Sequence, residues 1–340
     1  MSMSASKPQP KEYRKTANLI FGASKIVIAS HLNPDGDALG SMLGLTHALK
    51  ALGKDVTLIS TDGVPATYSW MPGAEWVQTA TDRRDFELAI VVDAGALERI
   101  GTSQVPAIKS ANTLIDIDHH VADTVFGDVR ILDSSSASTA ELICRLIRTM
   151  NSLLNRDLMT PAIADCLMTG IITDTGSFKF PNVTSKTLTT SAYLKKNGAS
   201  VSRINELVYE NRSLASLKLV GRAMESLRIT PDGKVAWTHV TAKDLEETGG
   251  IDADTEGVVG MVRSIEGVEV GVLFREIPGK KVRISLRARE GSDVNRIANV
   301  FGGGGHRLAA GCSIEPPLEV AIRTVIEEVV RQIGSVKPEG

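Results

Sequence analysis

The segment KIVIASHLNPDGDALGSMLGLTHALKALG, residues 25–53, decides the fold class. Its apolar beginning, 25–31, predicts a buried β-strand, and the apolar residues of 37–53 recur at helical spacing up to Gly53. Pro34 fixes its own φ and pushes Asn33 into an extended conformation, so the chain turns between the two elements. A buried strand followed directly by a helix predicts one unit of a parallel α/β sheet.

The same alternation continues to about residue 195. Apolar runs predict strands at 55–60, 86–95 and 112–120, and helical patterns cover 136–150 and 160–178, the last running into a loop. Ser138 and Glu141 fit a capping box at the start of the first of these helices. We therefore predict an α/β fold whose first domain has a mostly parallel sheet.

The second part of the chain is organised differently. Residues 184–228 predict three consecutive helices without a strand, and a second, smaller α/β unit begins near residue 230. A chain of 340 residues is long for one core and suits two domains. The expected boundaries are 13–195 for the first domain, 196–229 for a helical linker and 230–340 for the C-terminal domain.

The composition is that of an ordinary soluble protein, with 42% hydrophobic and 23% charged residues and a net charge of −2. Proteins that hold long nucleic acids usually carry a basic surplus, so we expect a short or single-nucleotide ligand instead. The three cysteines lie far apart in apolar segments, which is typical of reduced core residues. With no signal peptide and no apolar run of membrane-spanning length, the expectation is a cytoplasmic protein without a membrane partner.

Acids and histidines follow most of the apolar segments of the first domain. Ligands of parallel α/β sheets bind at the carboxyl ends of the strands, so these side chains are candidates for one site. They are His31, Asp35, Asp37, Asp93, Asp116, Asp118, His119, His120 and, at a helix end, Asp174.

Histidine and carboxylate donors without cysteine suit Mn²⁺, Mg²⁺ or similar divalent ions better than a structural zinc. Four or more carboxylates favour two ions, which at about 3.5–4 Å apart generate a hydroxide nucleophile for displacement at phosphorus. Each acid also has a simpler interpretation as a turn or helix cap, and Asp35 and Asp37 could cap the helix that begins near residue 38. The recurrence of such groups at successive element ends favours the metal site.

The pair His119 and His120 continues the predicted strand at 112–120. Strand alternation predicts that the two imidazoles face opposite directions and have different roles. Asp116 and Asp118 share one face, where Asp118 could orient an imidazole and Asp116, further from the strand end, is structural.

The C-terminal domain has a second motif, FGGGGHRLAAG at 301–311. Consecutive glycines expose backbone N–H groups and allow close approach of a phosphate, although a flexible loop is the alternative. In KVRISLRAR, Arg283, Arg287 and Arg289 have the same strand parity, which fits a phosphate clamp or a solvated face.

These motifs together resemble the DHH phosphoesterase family. They are HLNPDGDALGS at 31–41, VVDAG at 91–95, DHH at 118–120 and TDTGSFKF at 173–180. The C-terminal GGGGHRLAAG, 302–311, resembles the DHH-associated domain. The resemblance covers nearly the whole chain after residue 13. It implies a catalytic domain, a helical linker and a substrate-binding domain that closes over the first.

Carried over by position, the resemblance implies two ions, Mn²⁺ before Mg²⁺ or Co²⁺, with Asp93 bridging them. His31 and Asp35 would complete one ligand set, and Asp37, His119 and Asp174 the other. His120 would face the scissile phosphate with Asp118 in support. Substrate binding would fall to Arg287, Gly303, Gly304, Gly305 and His306.

The two-domain layout resembles the family branch that degrades short oligoribonucleotides, such as pApA or pGpG, to 5′-mononucleotides and converts pAp to AMP. The alternatives are a cyclic di-AMP phosphodiesterase, a manganese-dependent pyrophosphatase, an exonuclease of the RecJ type and a nucleotide sensor without turnover. The glycine-rich motif argues against the pyrophosphatase, and the absent basic surplus argues against an exonuclease for long strands. The sequence leaves the oligomeric state open, with a homodimer as one option.

Overall fold

The computed structural model of the protein describes residues 10–120, 126–277, 279, 281–315 and 317–335. The chain divides into two compact units, Met1–Asn211 and Arg212–Gly340. The division falls within the range 196–229 that the sequence predicts as a linker. Among the described helices, none combines the length and the apolar character that a bilayer span requires.

The first unit contains a six-stranded sheet in the order β3-β2-β1-β4-β5-β6, in which every neighbouring pair is parallel. This confirms the predicted α/β class. The central strands are buried on both faces, which explains their continuous Val and Ile content. The strands are β1 Lys25–Ala29, β2 Asp55–Ile59, β3 Val77–Gln78, β4 Leu88–Val92, β5 Thr113–Asp118 and β6 Val129–Leu132. The sequence did not predict β3 and β6, which are short edge strands.

The helices of this unit are α1 Pro10–Gly22, α2 Gly36–Ala51, α3 Val105–Lys109, α4 Thr139–Leu154, α5 Pro161–Asp174, α6 Ser185–Lys196 and α7 Val201–Asn205. A π-helical turn, Glu206–Glu210, follows α7. Ser138 is the N-cap of α4, and its side chain accepts a hydrogen bond from the Glu141 amide, which is one half of the predicted capping box. The reciprocal bond from the Ser138 amide to the Glu141 side chain is not found among the described residues.

Helices α2 and α5 pack antiparallel at unusually short range because glycines lie at their contact. A Cβ on Gly40 would collide with the carbonyl oxygen of Cys166, and one on Gly170 would lie 2.6 Å from Oδ1 of Asp37. Gly36, at the start of α2, lies against Thr173 near the end of α5. The antiparallel direction therefore brings the first turn of α2 to the last turn of α5, where Asp174 is located.

The second unit contains a mixed sheet in the order β11-β12-β10-β9-β8-β7, parallel only between β8 and β9. One face packs against the last helix around a core of Val, Ile, Leu and Ala. The elements are α8 Leu214–Glu225, β7 Arg228–Ile229, β8 Val235–Val240, α9 Ala242–Thr248, α10 Val258–Arg263, β9 Val270–Glu276, β10 Val282–Ala288, α11 Val294–Val300, β11 Gly304–His306, β12 Ala309–Ile314 and α12 Leu318–Ser335.

The glycine-rich motif is not simply a loop, because part of it forms the edge strand β11, paired with β12. A Cβ on Gly303 would collide with the carbonyl oxygen of Gly311, and Gly305 has a φ of 145° and lies against Ala309 and Ala310. Glycine is thus required at both positions by backbone packing, in addition to any contact with a ligand.

Candidate metal centre and active site

The strand order places the acid- and histidine-rich segments side by side. Strands β1, β4 and β5 are neighbours in the parallel sheet, so the residues after each of them meet at one edge. All six predicted metal ligands lie there within groups whose candidate ligand atoms are within 4.8 Å of one another: Asp93 with His119 and His120, His31 with Asp35 and Asp93, and Asp37 with His119 and Asp174.

The first group is centred on His31, which is buried at the end of β1. Its Nε2 lies 3.6 Å from Oδ2 of Asp93 and 3.9 Å from Oδ1 of Asp35. Its Nδ1 is 2.6 Å from the carbonyl oxygen of Leu32, which can only accept a hydrogen bond, so Nδ1 carries a proton. The other nitrogen, Nε2, is the one that could bind a metal ion. Asp35 also caps α2 through Oδ1, which accepts from the amides of Asp37 and Ala38. The capping interpretation is thus correct for Asp35, and it coexists with the cluster.

The second group is centred on His119. Its Nε2 lies 3.0 Å from Oδ2 of Asp174, 3.7 Å from Oδ1 of Asp93 and 3.8 Å from Oδ2 of Asp37. This nitrogen is buried and makes no well-aligned hydrogen bond to any described residue, although three carboxylates surround it. A buried polar atom in this situation needs a partner.

Asp93 lies between the two groups. It is 1% exposed and has a φ of 58°, a left-handed conformation that is uncommon for a residue other than glycine and that often marks a functional site. Its Oδ2 faces His31, and its Oδ1 faces His119 at 3.7 Å and His120 at 3.4 Å. One carboxylate therefore reaches both groups.

The N-terminus of α4 supports these carboxylates, and the sequence did not predict this role. The amide of Thr139 donates to Oδ2 of Asp37 at 2.6 Å, and the amide of Ala140 donates to Oδ1 at 2.9 Å. The Thr139 hydroxyl donates to Oδ1 of Asp93 at 2.9 Å. Each carboxylate oxygen has further lone pairs, so these bonds orient the groups without using up their capacity as ligands. The pattern SASTAE predicted a helix start but not what the free amides would bind.

His120 and Asp118 form the third part of the site. The backbone amide of His120 donates to Oδ1 of Asp118 at 2.8 Å, and the ring Nδ1 of His120 lies 2.8 Å from the same oxygen. The other oxygen of Asp118 accepts a hydrogen bond from the Gly95 amide. This contact between Asp118 and an imidazole matches the supporting position that the sequence suggested for it.

The expectation that the two imidazoles face opposite directions was wrong. Strand β5 ends at Asp118, so neither histidine is subject to strand alternation. Their ring centroids lie 4.5 Å apart, and both rings approach Oδ1 of Asp93. The chain places two neighbouring histidines there because both serve one cluster.

The electrostatics of the cluster show that it attracts positive charge. Burial disfavours the protonated form of its histidines, but the adjacent carboxylates outweigh burial and raise the pKa of His31 to about 10, of His119 to about 9 and of His120 to about 11. Burial and the neighbouring carboxylates raise the pKa of Asp37 well above its usual value. Imidazole nitrogens and carboxylate oxygens without thiolate, with the Nε2 of His119 buried among three carboxylates, fit divalent cations such as Mn²⁺ or Mg²⁺.

Both units of the chain are similar to known proteins. Residues 25–171 match the model of the DHH family, N-terminal domain, and residues 234–332 match the DHHA1 domain. A Thermus thermophilus protein named bifunctional oligoribonuclease and PAP phosphatase NrnA is 31% identical over 97% of this chain and 98% of its own length. The chain belongs to the DHH family.

Two further relatives support the membership. The Bacillus subtilis protein of the same name is 30% identical over 85% of this chain and 89% of its own length. The crystal structure of an exopolyphosphatase-related protein from Bacteroides fragilis superimposes with a TM-score of 0.90 at 29% identity, covering 96% of this chain and 98% of that one. The predicted family is confirmed, and with it the prediction of an enzyme that acts on phosphoester bonds.

Within this DHH protein, Asp116 stands apart from the cluster. It is 3% exposed on β5, its Oδ1 has no hydrogen-bond partner among the described residues, and burial together with Asp118 raises its pKa to about 8. The raised pKa favours the protonated form of the side chain, unlike that of a metal ligand, although the charge of Arg130 opposes this shift. This agrees with the structural role that the sequence suggested.

The DHHA1 unit contains the other predicted residues. Gly303, Gly304 and Gly305 lie at β11, and the side chain of His306 is outside the described part of the structure. Arg283 is exposed and pairs with Asp252, whereas Arg287 is half-buried and has no ion pair to a described residue. The two arginines of β10 therefore differ despite their shared parity, and Arg289 lies beyond the end of the strand.

A second arginine, Arg263, lies near Arg287. The sequence did not predict this pair. Arg287 pairs in register with Gly271, and a Cβ on Gly271 would lie 2.7 Å from the backbone nitrogen of Arg263 at the end of α10. Burial, Arg263 and Arg275 lower the pKa of Arg287. Two like charges held together without an ion-paired acid make a favourable place for a phosphate.

Substitution of Thr139 by valine should weaken divalent-ion binding roughly tenfold to a hundredfold, because it removes the hydroxyl that orients Asp93. The backbone amides that bind Asp37 remain. Titration calorimetry of the metal-free protein with Mn²⁺ measures the effect without any activity assay.

Thr46→Val is the matched control for this substitution. Thr46 is a buried threonine of α2 whose hydroxyl donates to the carbonyl oxygen of Met42 at 2.7 Å. Its replacement removes a buried hydroxyl outside the cluster and should leave the Mn²⁺ affinity unchanged. Equal Mn²⁺ affinities for Thr139→Val and wild type would show that Thr139 does not position the ligands.

Proposed function

We propose that this protein is a metal-dependent phosphoesterase that cleaves short oligoribonucleotides to 5′-mononucleotides and removes the 3′-phosphate of pAp. The observation that carries the proposal is the cluster of His31, Asp35, Asp37, Asp93, His119 and Asp174, in which one carboxylate reaches two groups of ligands. The Thermus relative, named for both activities, matches nearly the full length of the chain, which supports the choice of substrates.

The proposed ligand sets are His31 and Asp35 for one ion and Asp37, His119 and Asp174 for the other, with Asp93 shared. Mn²⁺ is the preferred ion because mixed imidazole and carboxylate donors suit it, and Mg²⁺ and Co²⁺ are the alternatives. Held by these residues, the ions would supply Lewis-acid chemistry: a lower pKa for water and compensation of negative charge at phosphorus.

The side chains of the site have separate roles in this proposal. Asp93 holds the two ligand sets at one spacing, and Thr139 and the α4 amides hold the carboxylates in place. His120, oriented by Asp118, faces the scissile phosphate and stabilises the charge that develops there. Asp118 keeps the proton of His120 on Nδ1, so the Nε2 edge is the one that meets substrate.

Cleavage of one bond, between phosphorus and a ribose 3′-oxygen, accounts for both proposed activities. In pApA this cleavage leaves the 5′-phosphate on the second nucleotide, so that one hydrolysis yields two molecules of AMP. In pAp it releases inorganic phosphate and AMP. The residues 13–195 would carry this chemistry and 230–340 would bind the nucleotide, through Arg287, Arg263, the glycines 303–305 and His306. The proposal includes a cytoplasmic location, in keeping with three buried free cysteines, and requires no second copy of the chain.

The test is turnover of pAp, pApA, pGpG, cyclic di-AMP and pyrophosphate with Mn²⁺ and with a chelator. We expect AMP and phosphate from pAp, mononucleotides from the linear dinucleotides, and no turnover with chelator. Hydrolysis of cyclic di-AMP or pyrophosphate alone would replace the proposed substrates. A protein that binds Mn²⁺ and hydrolyses none of the five compounds would exclude the enzymatic proposal.

Replacing Arg287 with glutamine should raise KM for pAp and pApA by roughly tenfold or more, since it removes a charge-assisted contact to a phosphate. The value of kcat should change less, because the metal ligands are untouched. Arg263→Gln should act in the same direction. Steady-state kinetics with both substrates measures these effects.

Arg283→Gln is the matched control in the same strand. Arg283 has the same strand parity as Arg287, but it already forms an ion pair with Asp252, which it shares with Arg275. Its loss should have little effect on KM. Equal changes for Arg283→Gln and Arg287→Gln would indicate a general effect of surface charge, and would remove Arg287 from the proposed substrate site.

A further inference from the structure

A groove on the first unit, between α1 and the second half of α4, has no role in the proposed reaction. It has a volume of about 410 Å³ and is lined by Tyr13, Arg14, Arg145, Arg148, Thr149 and Ser152, among others. A second hollow of about 400 Å³ adjoins it, shares Arg148 and Ser152, and extends to Arg156 and Tyr193. Both volumes are in the range of pockets that bind small ligands. We refer to the two hollows as the arginine groove.

The arginine groove is separate from the metal cluster. Helix α4 begins at Thr139, which contacts Asp37 and Asp93, whereas the groove begins at Arg145 and is centred on Arg148 and Ser152. At about 1.5 Å of rise per residue, Arg148 and Ser152 lie roughly 14–20 Å along the helix from Thr139. A ligand in the groove therefore does not contact the catalytic residues.

The charge of the groove is positive and poorly compensated. Arg14, Arg145 and Arg148 have no ion pair with a carboxylate anywhere in the described ranges, although the whole chain carries a net charge of −2. Asp157 is the one acid that lines the adjoining hollow, and its Oδ1 already accepts hydrogen bonds from Asn151 and the amide of Met159. The arginines that line the two hollows, Arg14, Arg145, Arg148 and Arg156, thus outnumber their one acid.

Two of these arginines are held in place by tyrosine rings. The guanidinium of Arg145 lies 4.5 Å from the ring centroid of Tyr13, and that of Arg148 lies 4.8 Å from the ring centroid of Tyr193. A guanidinium that lies over an aromatic ring is restrained in position by the cation–π contact, and N–H groups that point away from the ring can still donate to phosphate oxygens. Tyr13 is itself 1% exposed, and its hydroxyl has no hydrogen-bond partner among the described residues.

From this arrangement we infer that the arginine groove is a second binding site for a phosphorylated nucleotide, distinct from the proposed active site. The stacked Arg145 and Arg148 would bind the phosphate, with Arg14, Thr149 and Ser152 at its sides. A phosphate alone would fill only part of the 410 Å³, so a nucleotide such as a mononucleotide product fits the groove better. Stacking of a base on an arginine plane is an established mode of nucleotide binding.

Equilibrium binding of radiolabelled AMP to the full-length protein with Mn²⁺ tests the inference by counting sites. We expect two sites in the wild type and one in the double variant Arg145→Gln, Arg148→Gln, whose groove affinity should fall by roughly tenfold to a hundredfold. Turnover of pAp should be retained in this variant, because the metal cluster is intact. Arg203→Gln, which removes an exposed arginine of α7, is the control and should keep both sites.

Two further arms make the result decisive. Ser152→Glu places a carboxylate at an exposed helical position in the groove and should also remove the second site without removing a packed side chain, which covers the case of a double variant that fails to fold. Competition with inorganic phosphate distinguishes a site for a nucleotide from a site for free phosphate. If phosphate displaces AMP from the groove at equal concentrations, the groove recognises the phosphate alone. If every AMP site of the wild type persists with unchanged affinity in Ser152→Glu, the inference is overturned, whether or not pAp is hydrolysed.

Discussion

Replacing Asp93 with alanine should reduce kcat/KM for pAp and for linear dinucleotides by roughly a thousandfold or more. Added Mn²⁺ should not restore the activity. Asp93 is the carboxylate that faces His31 through one oxygen and His119 and His120 through the other. Its loss removes a ligand from both proposed sets and leaves the histidines without the charge that orients them. The measurement is kcat/KM for each substrate, together with the number of Mn²⁺ ions bound per chain.

Asp116→Asn is the control that separates this effect from the general loss of a buried acid. Asp116 lies on the neighbouring strand β5 and, with a pKa of about 8, favours its protonated form at pH 7, so the neutral asparagine replaces it with little change in charge. This variant should bind Mn²⁺ and turn over pAp as the wild type does. An Asp93→Ala protein with full metal content and normal turnover would refute the shared carboxylate.

Substitutions of the two adjacent histidines should fail in different ways. His119→Ala removes the nitrogen that lies among Asp37, Asp93 and Asp174, and should weaken Mn²⁺ binding by at least about a hundredfold. His120→Ala should leave Mn²⁺ binding nearly intact and lower kcat by roughly a hundredfold to ten-thousandfold, because the proposed role of this imidazole, which contacts Asp118, is to face the substrate.

Metal titration and single-turnover kinetics on the same preparations distinguish these outcomes. Asp118→Asn should lower kcat in the same direction as His120→Ala, and the double variant should lose little more than His120→Ala alone, since Asp118 acts through His120. Loss of Mn²⁺ from the His120→Ala protein would instead show that His120 is itself a metal ligand, together with Asp93 and His119.

The sequence was sufficient for the parts of this protein that depend on local pattern. Alternating buried strands and helices predicted the parallel sheet, and the carboxyl ends of β1, β4 and β5 predicted where His31, Asp93 and His119 would meet. This works because a parallel sheet aligns the same ends of its strands whatever the loops do. The edge strands β3 and β6 were missed because two to four residues hold too little periodicity to be recognised.

Strand alternation misled where the strand had already ended. His119 and His120 follow β5, and the backbone beyond Asp118 turns both rings toward Asp93. The conformation of such a segment depends on the carboxylates and amides around it, including the bond from the His120 amide to Asp118. No periodic rule describes a turn that is fixed by its own side-chain hydrogen bonds.

By itself, then, the sequence determined the fold class and the chemical types of the candidate metal-binding side chains, because both follow from local periodicity and from which residues end each strand. Only the tertiary structure decided that the amides of α4 hold Asp37, that Arg263 approaches Arg287, and that arginines of α1 and α4 share a groove. These contacts join residues far apart in the chain. They depend on how closely elements pack in three dimensions. Near Asp37, for example, the close approach of α2 and α5 requires that Gly40 and Gly170 have no Cβ.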